Sequence, residues 1–316
     1  MSHLVSAINR HLYLIDGYDL GSEERTGTYV LVDKPEVAVT LIETGPSSSN
    51  KHIKKGLEEL GISLSDIKWV IVTHIHLDHS GGAGLLLSEC PNAKLIVHPK
   101  GARHLIDPTK LIKGAKAVYG DSFDKLFSPV LPVEKDRIIE KTDNSTLTLT
   151  KDRTLTFIDT PGHSRHHFSI YDSKTLTMFT GDTIGIRYPS LERDGSYLYL
   201  PSTSPNQFDP EEMLLSIEKI ESMKPMFIAF GHYGLSTHPN LVYKQIRYWL
   251  PIFLKLGKES LEKDLGHEGL KEELLVAVNE QLKKDGIKND HTAYKMIHLD
   301  LNISAMGILD YLKKQS

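Results

Sequence analysis

The segment Thr73-His74-Ile75-His76-Leu77-Asp78-His79-Ser80-Gly81-Gly82 concentrates imidazoles and a carboxylate in one short run. Along an extended chain, side chains two residues apart point the same way, so His74, His76 and Asp78 can converge. His79 joins them as the chain turns, and Gly81-Gly82 permits a tight turn. Imidazole nitrogens and carboxylates are natural ligands for zinc, and they also serve iron or manganese. The inert alternative is a histidine-rich loop with satisfied side chains. Crowded imidazoles at a strand end fit that alternative poorly, because they repel one another once protonated.

Three further segments each place one ligand-type residue directly after an expected strand. Thr160-Pro161-Gly162-His163-Ser164 follows Leu155–Asp159, and Phe179-Thr180-Gly181-Asp182-Thr183 follows Leu176–Thr180. Phe230-Gly231-His232-Tyr233-Gly234 follows Met226–Phe230. The small residue before each ligand lets the backbone bend close to a metal. Together the four segments, from about residue 27 to residue 234, resemble the motif series of the metallo-β-lactamase superfamily.

That resemblance implies an α/β fold, the αββα sandwich, and a dinuclear metal-dependent hydrolase. It assigns His74, His76 and His163 to one metal, and Asp78, His79 and His232 to a second. The carboxylate of Asp182 bridges the two. Two cations about 3.5–4 Å apart acidify a shared water, giving a bridging hydroxide as nucleophile, and the second cation steadies the oxyanion or leaving group. Asp78 and Asp182 are therefore candidate catalytic residues as well as ligands. Two divalent ions are expected, zinc first, with manganese or iron as alternatives.

The resemblance also narrows the branch, toward glyoxalase II-like and lactonase-like hydrolases. β-Lactamases proper place Cys or Ser where Asp182 stands, and flavodiiron relatives place a carboxylate where His76 stands. The interval between Asp182 and His232 has no room for the inserted domain of the superfamily's nucleases. The expected substrate is a small ester, lactone, thioester or phosphoester. The competing readings are a mononuclear iron thiol or persulfide dioxygenase and a non-catalytic metal-binding protein.

Other residues divide between chemistry and packing. In Gly162–His167, His167 is expected to support a ligand from behind. Arg165 and His166 are expected to face solvent, with Arg165 at the mouth of the site as the functional alternative. Ile184–Phe208, within an expected irregular stretch from Ile184 to Pro210, carries Tyr188, Tyr197, Tyr199 and Phe208, which either line a substrate pocket or anchor the loop. Lactonases of the superfamily carry an assisting tyrosine three positions after the bridging aspartate. Here Gly185 stands there, and Tyr188 is the nearest candidate for that catalytic role. His238, His267, His291 and His298 read as ordinary helix or core residues.

The elements that must position these groups follow from local pattern. Strands are expected at His11–Asp16, Thr28–Asp33, Val37–Glu43, Lys68–Thr73, Lys94–His98, Thr146–Thr150, Thr154–Asp159, Phe168–Tyr171, Leu176–Thr180 and Met226–Phe230. A helix capped at Ser48 or Asn50 runs through Leu60, another starts near Gly82, and helical segments run from Pro99 to about Lys116. Pro210 suits the first turn of a helix to Met223. From His238 onward the pattern is helical: Leu241–Leu265, Gly269–Lys284 and His291–Lys313. Strand-rich halves that each carry helices suggest sheets packed face to face with helices outside. The expected division is a catalytic domain, 1–237, and a helical C-terminal extension, 238–316.

Composition sets the outer bounds. The 316 residues carry a net charge of −4 and no Lys/Arg-rich run, so no broad basic field is offered to a nucleic acid. The single cysteine, Cys90, can form neither an internal disulfide nor a thiolate cluster. The N-terminal run is broken by Asn9, Arg10 and Asp16, which leaves no apolar core of a secretory signal. No stretch approaches the ~20 apolar residues of a membrane span. The expectation is a cytoplasmic enzyme with a small-molecule substrate and no nucleic-acid or membrane partner. The apolar run around Tyr248, Trp249, Leu250, Phe253 and Leu254 serves as core or as a homodimer contact.

Overall fold

A computed structural model describes residues 4–33 and 38–315. Met1–His3 of the N-terminal run and Val37, the first residue of one expected strand, lie outside the described residues. The chain divides into two compact units. One comprises Met1–Asp159, His166–Gly181 and Gly231–Leu235, and the other Thr160–Arg165, Asp182–Phe230 and Ser236–Ser316.

The first unit contains a seven-stranded sheet: β1 (Val5–Asn9), β2 (Leu12–Asp16), β3 (Gly27–Leu31), β4 (Val39–Ile42), β5 (Ile67–Ile71), β6 (Lys94–Val97) and β7 (Ile138–Glu140). Its spatial order follows the chain order. The first three pairings are antiparallel and the last three parallel. Parallel strands need crossovers, and helices supply them. Ile53 and Leu57 of helix Asn50–Glu59 and Leu86 and Leu87 of helix Ala83–Glu89 join one core with Val39, Leu41, Val70 and Leu95. Ala102 and Leu105 of helix Pro99–Ile106 belong to the same core. The helical segments expected from Pro99 to about Lys116 are two helices, Pro99–Ile106 and Thr109–Tyr119, parted at Pro108.

The same unit holds an antiparallel meander of β8 (Thr146–Thr150), β9 (Arg153–Asp159), β10 (Phe168–Asp172) and β11 (Thr177–Gly181). Tyr29 of β3 meets Phe179 of β11 edge to face, with ring centroids 5.1 Å apart, so the sheets share an apolar interior. At one end of the meander, Arg153 is fully buried between Asp172 (2.6 Å) and Asp33 (3.2 Å), and Lys174 reaches Asp33 at 2.7 Å.

The second unit is mainly helical. Pro210–Ser222, Pro239–Glu262, Gly266–Lys284 and Ala293–Gln315 are its long helices. They enclose a core that includes Trp249, Leu250, Phe253, Leu270, Leu274, Ile297, Leu301 and Ile308. Asp209 caps the first of them by accepting from the backbone N–H groups of Glu211 and Glu212. The stretch from Ile184 to Pro210, expected to be irregular, contains a hairpin of β12 (Ile186–Arg187) and β13 (Tyr199–Leu200) around the short helix Pro189–Arg193. Ile186, Leu191, Leu198 and Leu200 are drawn into the helical core, which gives this loop its order.

Candidate metal centre

The first unit gathers five of the expected ligands, and strand ends place them. His74 and His76 follow the end of β5, His76 with an extended backbone, and the short helix Leu77–Ser80 then presents Asp78 and His79. His74 Nε2 lies 3.0 Å from His76 Nδ1, and the rings of His74 and His79 are centred 4.2 Å apart. His232 arrives from the other end of the sequence, on the turn Gly231–Gly234. Tyr29 fixes that turn by donating its hydroxyl to the Gly234 carbonyl at 2.7 Å, and Tyr233 holds a positive φ of 58°.

Asp78 Oδ2 lies 3.8 Å from His79 Nε2 and 3.7 Å from His232 Nε2. One donor atom from each of Asp78, His79 and His232 falls within 4.8 Å of the others. Two imidazoles and a carboxylate at this spacing form a donor set that fits a divalent transition metal. The second unit brings together the other two expected ligands. His163 Nε2 is 3.6 Å from Asp182 Oδ2, and both side chains are buried.

Proton positions on two of the histidines follow from their partners. Glu43, directly after β4, holds a positive φ of 66°, unusual for a residue with a side chain. Its carboxylate accepts the Thr73 backbone N–H at 3.3 Å and takes a short hydrogen bond from the Thr73 hydroxyl. Having donated there, that hydroxyl accepts from His74 Nδ1, 3.0 Å away. The His74 lone pair is thereby assigned to Nε2. Glu43 also lies 3.5 Å from His79 Nδ1, so one carboxylate underlies two imidazoles. His163 Nδ1 donates to the carbonyl of Ser202 at 2.9 Å, which assigns its lone pair to Nε2.

Sequence pattern alone does not single out Glu43, Thr73 or Ser202 as site residues. The available signal is position: Glu43 ends one strand of the sheet much as Thr73 ends the next. A further acid, Asp19, is 1% exposed and pairs with Arg25 at 3.2 Å. Burial pushes Asp19 up to about 6 against the pull of Arg25, and the charge of Asp78 adds to the rise.

The expectation for His166 is overturned. It is buried rather than solvent-facing, with its ring 5.4 Å from that of His76. Arg165 is exposed, as expected for a turn residue, and its backbone N–H donates to Gln207. His167 is buried with its ring 5.1 Å from that of His74. Gly181, just before Asp182, has a φ of 46°, and a Cβ there would collide with Thr73 Oγ1 and His167 Nε2. Tyr188 is 1% exposed within the helical core and donates its hydroxyl to Asp300 at 3.1 Å. Tyr199 and Phe208 are buried as well, whereas Tyr197 is 37% exposed.

The family model for the metallo-beta-lactamase superfamily matches residues 23–232. The chain belongs to that superfamily. Its α/β architecture with C-terminal helices agrees with this membership. The metallo-beta-lactamase fold-containing protein ST1585 of Sulfurisphaera tokodaii is 25% identical over 77% of this chain and 88% of its own. Glyoxylase B2 of Dictyostelium discoideum is 26% identical, over 51% of this chain and 53% of its own. N-acyl homoserine lactonase AttM of Rhizobium radiobacter is 32% identical, over 36% of this chain and 39% of its own. Among solved structures, the metallo-beta-lactamase family protein TTHA1429 of Thermus thermophilus matches with a TM-score of 0.66 at 16% identity. That match covers 98% of this chain and 95% of the other, so the shared fold extends through the C-terminal helices. Among the described residues, no helix is long and apolar enough to cross a membrane.

Proposed function

We propose that the protein is a dinuclear metal-dependent hydrolase acting on a small ester, lactone, thioester or phosphoester. The observation that carries this reading is the close set of Asp78, His79 and His232 donors beside His74 and His76. In this reading His74, His76 and His163 hold one ion, Asp78, His79 and His232 hold the other, and Asp182 bridges them. A bound pair of divalent cations would supply an acidified water and positive charge for a developing oxyanion.

The chain's own residues prepare for that role. The Glu43–Thr73 pair keeps the His74 proton on Nδ1, and the Ser202 carbonyl does the same for His163. Asp78 and Asp182 contribute negative charge, which favours two cations in close proximity. AttM is a lactonase by name, which supports including lactones among the substrates to try.

The test is metal analysis followed by activity. About two divalent ions per chain are expected, with activity lost on chelation and restored by zinc, manganese or cobalt. Chromogenic lactones, esters, thioesters and phosphoesters form the substrate panel. A purified, active protein without transition metal refutes the proposal. One iron per chain with thiol oxidation would favour the dioxygenase reading instead.

A further inference from the structure

The second unit contains a continuous path from the C-terminal helix to two proposed ligands. Ser202 stands at its centre. Its carbonyl accepts from His163 Nδ1 at 2.9 Å, and its hydroxyl donates to Asp182 Oδ2 at 3.0 Å. Two residues on, the Ser204 hydroxyl donates to the His163 carbonyl at 3.1 Å. A short buried loop thus grips both residues at three points.

The helix Ala293–Gln315 sets the position of that loop. The Thr203 hydroxyl donates to the Ser304 carbonyl at 2.8 Å, and the Asn206 backbone N–H donates to Asp310 at 2.9 Å. Lys314 reaches the Asn206 carbonyl at 3.1 Å. Gly307 lets the two backbones approach: a Cβ there would lie 2.6 Å from the Thr203 oxygen and 2.8 Å from the Ser204 carbonyl carbon. Any larger residue at 307 has to push the loop away.

We infer that Ser202 is a positioning residue for the metal centre, held in register by the close approach of Gly307 to Thr203. The inference rests on the proposed roles of His163 and Asp182 as ligands. The hydroxyl of Ser202 orients the Asp182 carboxylate, and its carbonyl fixes the His163 tautomer. Groups that orient ligands in this way typically carry about 10–100-fold in metal affinity. The helical extension then governs metal retention from outside the coordination sphere.

The experiment titrates the metal-stripped full-length protein with Co²⁺ and Zn²⁺ against a competing chelator. Stoichiometry, affinity and the Co²⁺ absorption spectrum are read for the wild type, Ser202→Ala, Ser202→Thr, Gly307→Leu and the packing control Ile297→Val. Ser202→Ala is expected to weaken one of the two ions by about 10–100-fold and alter the Co²⁺ spectrum, with Ser202→Thr restoring most of the loss. Gly307→Leu is expected to take stoichiometry from two ions toward one, while Ile297→Val keeps both. A wild type with two ions, together with Ser202→Ala of unchanged affinity and spectrum, overturns the inference and leaves the hydrolase proposal intact. A wild type that takes up no ion overturns both. Should Gly307→Leu fail to fold, the two Ser202 variants decide the matter alone.

Discussion

The guanidinium of Arg153 donates to both carboxylate oxygens of Asp172, with Nη2–Oδ2 at 2.6 Å, and its Nη1 also reaches Asp33 at 3.2 Å. Arg153 begins β9 and Asp172 ends β10, whereas Asp33 follows β3 of the other sheet. The cluster therefore ties the two sheets of the first unit together, at the opposite end of β9 from Asp159.

Removing the arginine leaves the buried Asp172 without its cation and leaves Asp33 with Lys174 alone. Arg153→Met is expected to cost about 3–5 kcal/mol of stability, the usual penalty for breaking a buried pair from one side. Denaturant unfolding measures the loss. Metal content per folded molecule should be unchanged, because none of the proposed ligands touches this cluster. A variant as stable as the wild type would remove the cluster's structural role.

Asp33 gives this lock a pH dependence of known sign. Burial alone would raise its carboxyl, but the Lys174 hydrogen bond and the Arg153 charge outweigh burial and hold it below the usual 3.8. A depressed folded-state value means that the unfolded chain binds the proton more readily. The stabilisation is therefore full above the usual carboxylate range and is lost as pH falls through the depressed value. The stability gap between wild type and Asp33→Asn should be constant at neutral pH and shrink below about pH 4. A gap that widens on acidification would contradict this assignment.

Glu43→Gln replaces a double acceptor with a group that has one acceptor oxygen and one donor nitrogen. The amide cannot accept from both the Thr73 N–H and the Thr73 hydroxyl. The Thr73 hydroxyl is then no longer held as an acceptor for His74 Nδ1. The expected result is a fall of about 10–100-fold in metal affinity by chelator competition, with near-native circular dichroism. Unchanged affinity would mean that the Glu43–Thr73 pair only closes the strand ends.

Tyr188 lies in the helical core with its hydroxyl on Asp300. Tyr188→Phe removes a partner from a buried carboxylate and is expected to lower stability by about 1–3 kcal/mol. In the metal-loaded protein, kcat should change little relative to that loss. The reverse pattern, full stability with a large fall in kcat, would identify the hydroxyl as an oxyanion donor.

The proposed ligand residues are legible in the sequence because their chemistry is local. Each sits within a short motif at a strand end, and the strands announce themselves as apolar or β-branched runs. Thr146–Thr150 matches its expected limits residue for residue, and most other strands shift by one or two positions. The pieces that escape are those whose order is imposed from elsewhere. β7 has three residues and exists because β6 offers it an edge. The β12–β13 hairpin is two residues deep on each side, and its order comes from the helices it packs against. Glu43 and Ser202 are far in sequence from the proposed ligands they neighbour, and no spacing rule connects them. The burial of His166 escapes for a related reason: a turn motif predicts its backbone and leaves its surroundings undetermined.

The chain-ordered arrangement of the seven-stranded sheet bears on how the protein is made. At each of its pairings the incoming strand finds its neighbour already synthesised, so the sheet can grow outward as the polypeptide leaves the ribosome. Every strand of it has been translated by Glu140, before β8 begins. At about 5–20 residues per second, synthesis of the seven strands takes several seconds, and β8 follows within about a second. Arg153 emerges only afterwards and closes on Asp33, which has been waiting since early translation. The tie between the two sheets thus waits on chain made after the seven-stranded sheet, and a stalled or truncated product ending near Glu140 would lack the arginine that pairs with Asp33.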